Sequence, residues 1–212
     1  SQGAKVLASP WDPPSGLIDH SSGEPVLPYE NFGAYVGHLN RFNELLNSSG
    51  VPLYAISIQN EPDIGEWTSW APSGILTFAR EFAGDIQTRV LAAESFNFNR
   101  DYTNPILKDS AASANVDIIG GHIYGNGLYD YPRGREKGKQ VWMTEHLTGS
   151  DAPELNNWNL AMSMGREIND CMEANFSAYI WWYIVRYYGP ILENGEVSKR
   201  GYVMSHFSRF IR

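Results

Sequence analysis

Two acidic residues stand at the ends of apolar, β-branched stretches. Tyr54-Ala-Ile-Ser-Ile-Gln-Asn-Glu-Pro-Asp63 runs apolar until it breaks into Asn60, Glu61, Pro62 and Asp63. Gln140-Val-Trp-Met-Thr-Glu-His146 has the same form and carries Glu145. A short apolar run closed by a proline or polar cluster reads as a buried strand that delivers polar side chains at its C-terminal end. Two carboxyl groups on two such tips could hydrolyse a glycosidic bond with retention, one as nucleophile and one as acid and then base. Asn60 would then lie where an amide can bond a sugar hydroxyl. The competing reading of each Glu is a salt-bridged or capping carboxylate. Strongly apolar flanks argue against it, because an unpaired buried acid is costly. Glu94 also ends a strand-like run and is the rival carboxylate, better suited to supporting the site than to reacting. Asp63 reads as a turn residue.

Those side chains need a scaffold. Six apolar runs, beginning near Lys5, Tyr54, Arg89, Val116, Gln140 and Phe176, alternate with helical patterns or helix-length connections. Helical spacing covers Tyr29 to Asn47, Pro72 to about Ile86, Trp158 to Asn175 and Lys199 to about Ile211. A short helix is expected over Asn104 to Ser110, and loops over residues 15–28, 125–139 and 147–157. Alternation of this kind predicts an α/β fold with a parallel sheet. The sheet could be doubly wound or a barrel. No Gly-rich dinucleotide turn follows any strand. Polar residues end nearly every strand (Glu61, Glu94, Tyr124, Glu145, Tyr183), which favours a (β/α)8 TIM barrel, although eight strands are needed and six are found.

Composition narrows the partners. The chain has 16 basic and 24 acidic residues, a net charge of −8, so no nucleic-acid partner is expected. No apolar run is long enough to span a membrane. Seven Trp, twelve Tyr and nine Phe include several in apparent loops, where rings could stack on sugars; the alternative is ordinary core. The single cysteine, Cys171, rules out an internal disulfide. The five histidines show no zinc-binding spacing, and no metal or other cofactor is expected. No Gly-x-Ser-x-Gly elbow is present. His122 and His146, near strand ends, could orient carboxylates or simply be satisfied in the core.

Five segments together carry a resemblance: Ser9-Pro-Trp-Asp-Pro-Pro14, Ile56-Ser-Ile-Gln-Asn-Glu-Pro-Asp63, Trp142-Met-Thr-Glu-His146, Trp181-Trp-Tyr-Ile184 and Ser198-Lys-Arg-Gly-Tyr-Val-Met-Ser-His-Phe207. They resemble glycoside hydrolase family 30, in particular the bacterial glucuronoxylanases of subfamily 8. The resemblance implies a retaining endo-β-1,4-xylanase that cuts xylan at a position set by a methylglucuronic acid branch. By motif position it implies Glu61 as acid/base and Glu145 as nucleophile. Trp11, Tyr124 and Asn60 match residues around the attacked sugar; Ser150, Trp182, Arg186 and Tyr188 match residues at the branch. A planar guanidinium suits a branch carboxylate. The pattern departs at Leu147, where the family usually has Tyr, and at Ser15-Gly-Leu-Ile-Asp19, which lacks the family's Trp.

The resemblance further implies that residues 1–212 are one partial barrel domain covering about strands three to eight. The first two strands and a β-rich side domain would belong to a longer chain. A polysaccharide substrate, glucuronoxylan, and secretion are implied, although no signal peptide is visible here. Two other readings stand beside this one: a non-catalytic carbohydrate binder or inactive partial barrel, and a hydrolase of the same family acting on another β-glycan.

Overall fold

The computed structural model describes residues 3–21, 23–152 and 154–211. Six strands follow one another in the sheet in chain order: β1 (Val6–Ala8), β2 (Leu53–Ser57), β3 (Arg89–Ser95), β4 (Ile118–His122), β5 (Gln140–His146) and β6 (Ala178–Trp181). β1 pairs with β2, β2 with β3 and β3 with β4, each in parallel. Helices fill the connections: α1 (Phe32–Ser48), α2 (Pro72–Glu81), α3 (Arg100–Lys108), α4 (Ser110–Asn115), α5 (Pro132–Glu136), α6 (Trp158–Glu173) and α7 (Lys199–Phe210). A parallel sheet whose strands keep sequence order, with helical crossovers, has the connectivity of consecutive units of a (β/α)8 barrel.

The chain divides into two compact units. One runs to Gly127 and includes Tyr131–Trp142; the other comprises Leu128–Asp130 and everything from Met143 on, so the division falls within β5.

In the first unit β2, β3 and β4 are almost entirely buried, as a two-sided parallel sheet requires. Gly120 leaves room for Leu91, whose side chain would lie 2.6 Å from an added Cβ. α1 buries Phe32, Tyr35, Val36 and Leu39. The Tyr35 hydroxyl, fully buried, donates to the Ile58 carbonyl at 2.8 Å just past the end of β2. Such a bond contributes about 1 kcal/mol net, and burial raises the phenol's pKa. Phe42 and Leu45, which share the three- and four-residue apolar spacing of Phe32, Tyr35, Val36 and Leu39, are instead exposed and line an open groove with His38 and Arg41. Asn43 takes the buried position and bonds the Gln87 carbonyl.

The helices differ from their expected spans in three places. The short helix expected over Asn104 to Ser110 is two helices, of which α3 begins at Arg100, where the Asn99 side chain caps the Asp101 amide. Asp109 then ends α3 and caps α4 through the Ala112 amide. α5 falls in the stretch expected to be loop; Pro132 occupies its first turn, where a missing N–H costs nothing. The second expected helix stops at Glu81 and continues only as a 3-10 turn, Ala83–Asp85.

The second unit is built on α6 and α7. Ala161, Met164, Ile168, Trp181, Tyr188 and Val203 form its core, with Leu147, Leu155 and Phe207 packed against it. Gly165 permits the close approach of the two helices: a Cβ there would meet Val203 at 2.8 Å. β6 ends at Trp181, short of the Tyr183 that the sequence pattern puts at the strand end, and Tyr183 itself turns into left-handed backbone at φ 55°. Cys171 is fully buried on α6, and burial pushes its thiol up to about 12. Reactivity follows the thiolate. At pH 8, alkylation of the folded protein is therefore expected to run about 1,000-fold slower than in denaturant, from the thiolate fraction alone. Iodoacetamide labelling followed by mass spectrometry measures it, and native labelling at the denatured rate would show α6 undocked.

Candidate active site

Past the end of β2 the chain leaves regular strand geometry but stays tethered. The Asn60 amide donates to the Pro10 carbonyl at 2.8 Å and the Glu61 amide to the Glu94 carbonyl at 2.9 Å. Glu61 sits in the left-handed region, φ 43°, and Glu94 at φ 55°. Both are non-glycine residues at strand tips. Backbone of this kind costs about 1–3 kcal/mol per residue and survives where surrounding bonds over-determine it. Its effect is to turn the side chain off the pleat.

The Glu61 carboxylate is 7% exposed, and its Oε1 lies 2.8 Å from Nδ1 of the fully buried His122 at the end of β4. On the ring's other side, Nε2 stands 3.7 Å from Oε1 of Glu94, whose Oε2 accepts a 2.6 Å bond from the Ser9 hydroxyl. The buried Glu61, His122 and Glu94, with the half-buried Ser9 at the end, thus form a polar row joining four segments. An imidazole between two carboxylates fixes its own ring plane and holds the Glu61 head group in one orientation. Asn60 is 2% exposed, and its Oδ1 has no hydrogen-bond partner among the described residues. A buried amide oxygen left so is a group prepared for something else to donate to it.

Aromatic rings border this row. Tyr124 stacks on Phe96 at 4.9 Å and meets the His122 ring edge-on at 5.9 Å. Trp11, 38% exposed, lies 4.4 Å from Trp67. The two loops that carry them are tied together by Asp12, whose carboxylate accepts from the Thr68 amide and hydroxyl at 2.7 Å each. Asp63 is more than a turn residue: it accepts from the Phe96 amide at 2.9 Å, and burial raises its carboxyl pKa. Trp67, Phe96 and Ser9 were not singled out from sequence. Only long-range contacts bring them here, and no spacing announces those.

In the second unit Glu145 occupies the penultimate position of β5 and is partly exposed. His146, next to it, points the other way, as alternation along a strand dictates. Its Nδ1 lies 2.8 Å from Oε1 of Glu167 on α6, and that oxygen also accepts from the Tyr179 hydroxyl at 2.7 Å. The main chain there is held too, since the His146 carbonyl accepts from the Trp182 amide at 3.0 Å. A helix and the neighbouring strand therefore fix the segment bearing Glu145.

The loop after β6 carries the remaining candidates. Trp182 is partly buried, its ring 4.3 Å from that of Tyr183. The exposed Arg186 guanidinium lies 4.9 Å over the Tyr183 ring. Tyr188 is 6% exposed and belongs to the core cluster. Burial raises its phenol pKa, with the nearby Arg186 guanidinium opposing the shift. Ser150 lies partly buried in the loop between β5 and α6, and Leu147 packs on the core.

No protein-family model matches the chain. The chain is 46% identical over 222 aligned positions to a protein of Bacillus subtilis (strain 168) named glucuronoxylanase XynC, covering 99% of this chain and 53% of that one. The chain thus spans about half the length of this curated relative. A crystal structure of a GH30 endoxylanase from Clostridium papyrosolvens C71 superposes with a TM-score of 0.91 at 38% identity, over 99% of this chain and 56% of that one. A glycoside hydrolase family 30 subfamily 8 xylanase, Xyn30A, from Clostridium acetobutylicum gives 0.91 at 34% identity over the same shares.

Proposed function

Because the chain belongs with the subfamily 8 xylanases of glycoside hydrolase family 30 over 99% of its length, we propose that it supplies the catalytic face of a retaining endo-β-1,4-xylanase acting on glucuronoxylan. Glu61 is the acid/base and Glu145 the nucleophile. Trp11, Asn60 and Tyr124 hold the sugar under attack. Arg186, with Ser150, Trp182 and Tyr188, takes the acidic branch. A polymer too large to enter a cell calls for a secreted enzyme. Among the described residues, no helix is long and apolar enough to cross a membrane.

The observation that carries this reading is the environment of Glu61. Its carboxylate is nearly buried and ordered by His122, and the amide oxygen of the neighbouring Asn60 has no hydrogen-bond partner among the described residues. That combination suits a group that must hold one orientation while a proton passes to a glycosidic oxygen. Asn60 is then placed for a sugar hydroxyl, an interaction that strengthens at the transition state.

Tyr188 shapes the branch contact differently from Arg186. Its ring is core and its hydroxyl is bonded with the Arg186 side chain, whereas Arg186 is exposed. The guanidinium therefore carries most of the branch binding. Arg186→Ala is expected to lower kcat/KM on glucuronoxylan about 10- to 100-fold, the loss of one charge-assisted bond worth about 1.5–3 kcal/mol. Cleavage of unbranched xylan should hardly change.

Reducing ends and product lengths from both polymers measure this. Equal cleavage of branched and unbranched xylan by the unaltered protein would replace the branch reading with a general xylanase. Binding without release of reducing ends would make the chain a carbohydrate binder.

A further inference from the structure

Arg200, in the first turn of α7, is 2% exposed. Among the described residues no carboxylate pairs with it. Its Nη1 donates to the Leu155 carbonyl at 3.0 Å and its Nη2 to the Thr148 carbonyl at 2.9 Å, while Nε has no partner. The cation's face lies 5.5 Å from the Trp181 ring. Burying a guanidinium without a counter-charge is expensive, and the burial lowers its pKa. A position that served packing alone would be better filled by an apolar side chain. What Arg offers instead is a rigid fork, two parallel donors spanning two separated carbonyls.

Both carbonyls lie in the loop that leaves β5 after Glu145 and contains Ser150. The same turn of α7 holds that loop a second way: the Lys199 amide donates to Oδ1 of Asn156 at 2.9 Å and its ammonium to the Asn156 carbonyl at 2.9 Å. It also grips the other loop. The Ser198 hydroxyl donates to the Gly189 carbonyl at 2.7 Å, and the Ser198 amide to the Pro190 carbonyl at 2.9 Å. Gly201 is so close that a Cβ would stand 2.2 Å from the Pro190 oxygen. Gly189 and Pro190 directly follow Arg186 and Tyr188. Three consecutive residues, Ser198 to Arg200, are therefore bonded between them to both loops that carry the proposed branch contacts, and Gly201 lets the helix approach the second of these closely.

We propose that Arg200 is a specificity-positioning residue: by clamping the β5–α6 loop onto the turn of α7 that also anchors the β6–α7 loop, it sets the spacing between Ser150 and Arg186 and so the discrimination for an acidic branch. The proposal rests on the branch reading given above. It touches no sugar and takes no part in bond cleavage. Arg200→Lys keeps the charge but removes the fork, so one carbonyl loses its donor.

The test uses the full-length chain with two ligands, a xylo-oligosaccharide bearing one methylglucuronic acid branch and the same oligosaccharide without it. For Arg200→Lys, KM on the branched ligand is expected to rise about tenfold with kcat little changed, the size of losing one bond to a charged donor. Both constants on the unbranched ligand should stay at their original values. Faster amide exchange over residues 147–157 should accompany the change. An equal loss on both ligands, or an unchanged branched-to-unbranched ratio, overturns the proposal. Where Arg200→Lys fails to fold, Asn156→Ala decides by the same ratio, since it breaks the same seam without burying an unpaired charge. The unaltered protein separates the two readings: if it shows no preference for the branched ligand, the branch reading fails first and visibly.

Discussion

Glu145→Ala is expected to lower turnover of glucuronoxylan by about four orders of magnitude or more, because the covalent route supplies a large share of the acceleration an enzyme gives over water. The position makes the prediction sharp. Glu145 is one residue from the end of β5, in a segment held by the His146–Glu167–Tyr179 bonds and by the Trp182 amide. None of those bonds uses the Glu145 side chain, so truncation removes a reacting group and leaves these supports of the strand in place. A small anion then has room to stand in for the lost carboxylate. Azide at high concentration should restore cleavage of a substrate with a good leaving group and give the inverted glycosyl azide, which nuclear magnetic resonance identifies. Turnover within tenfold of the unaltered protein would mean that another carboxylate attacks the sugar. Loss of activity with loss of the folded signal would make Glu145 a structural acid.

Residues near the tips of strands were legible in the sequence for a simple reason. A buried parallel strand is a short run of β-branched residues, so where polar residues appear is where the strand stops. β5 and the start of β3 fall where the pattern put them. What a one-dimensional pattern lacks is the turn out of the strand. β2 ends at Ser57, four residues before Glu61, and Glu61, Glu94 and Tyr183 leave their strands through left-handed backbone. Helix α1 shows a second limit. Three- and four-residue spacing generated one stripe with Phe42 and Leu45 in it, but burial follows what packs against the helix, and these two face an open groove.

Tyr188 shows a third. Motif position made it a contact for the branch, and its ring proves to be part of the core around Trp181. The two assignments are compatible only if its hydroxyl does the binding. The supports were the least legible part. His122 brings Glu61 and Glu94 together across 61 and 28 residues of sequence respectively (122 − 61 and 122 − 94), and Arg200 reaches back to Thr148. Such pairs are chosen by the fold after it forms. No local period encodes them.

Glu61→Gln is expected to separate the two half-reactions. General acid–base assistance is worth about 10²- to 10⁴-fold, and it is needed in full only when the leaving group is a poor one. A sugar alkoxide leaves badly, so cleavage of the polymer should fall by about that factor. A dinitrophenolate leaves without a proton. With a dinitrophenyl glycoside of the branched oligosaccharide, the first half-reaction should survive and the second, which needs the base, should stall. The expected result is a burst of dinitrophenol equal to the enzyme present, a slow steady state, and a lowered KM as the glycosyl-enzyme accumulates. Glutamine keeps an oxygen for His122 to bond, so the buried row through His122 and Glu94 should persist and the fold with it. Azide should speed the steady state and give the retained glycosyl azide, the opposite anomer from that expected of Glu145→Ala. That opposition tests the two roles against each other: the anomers exchanged between the two variants would exchange the assignments, and equal losses on polymer and dinitrophenyl substrate would show that Glu61 does not protonate the leaving group.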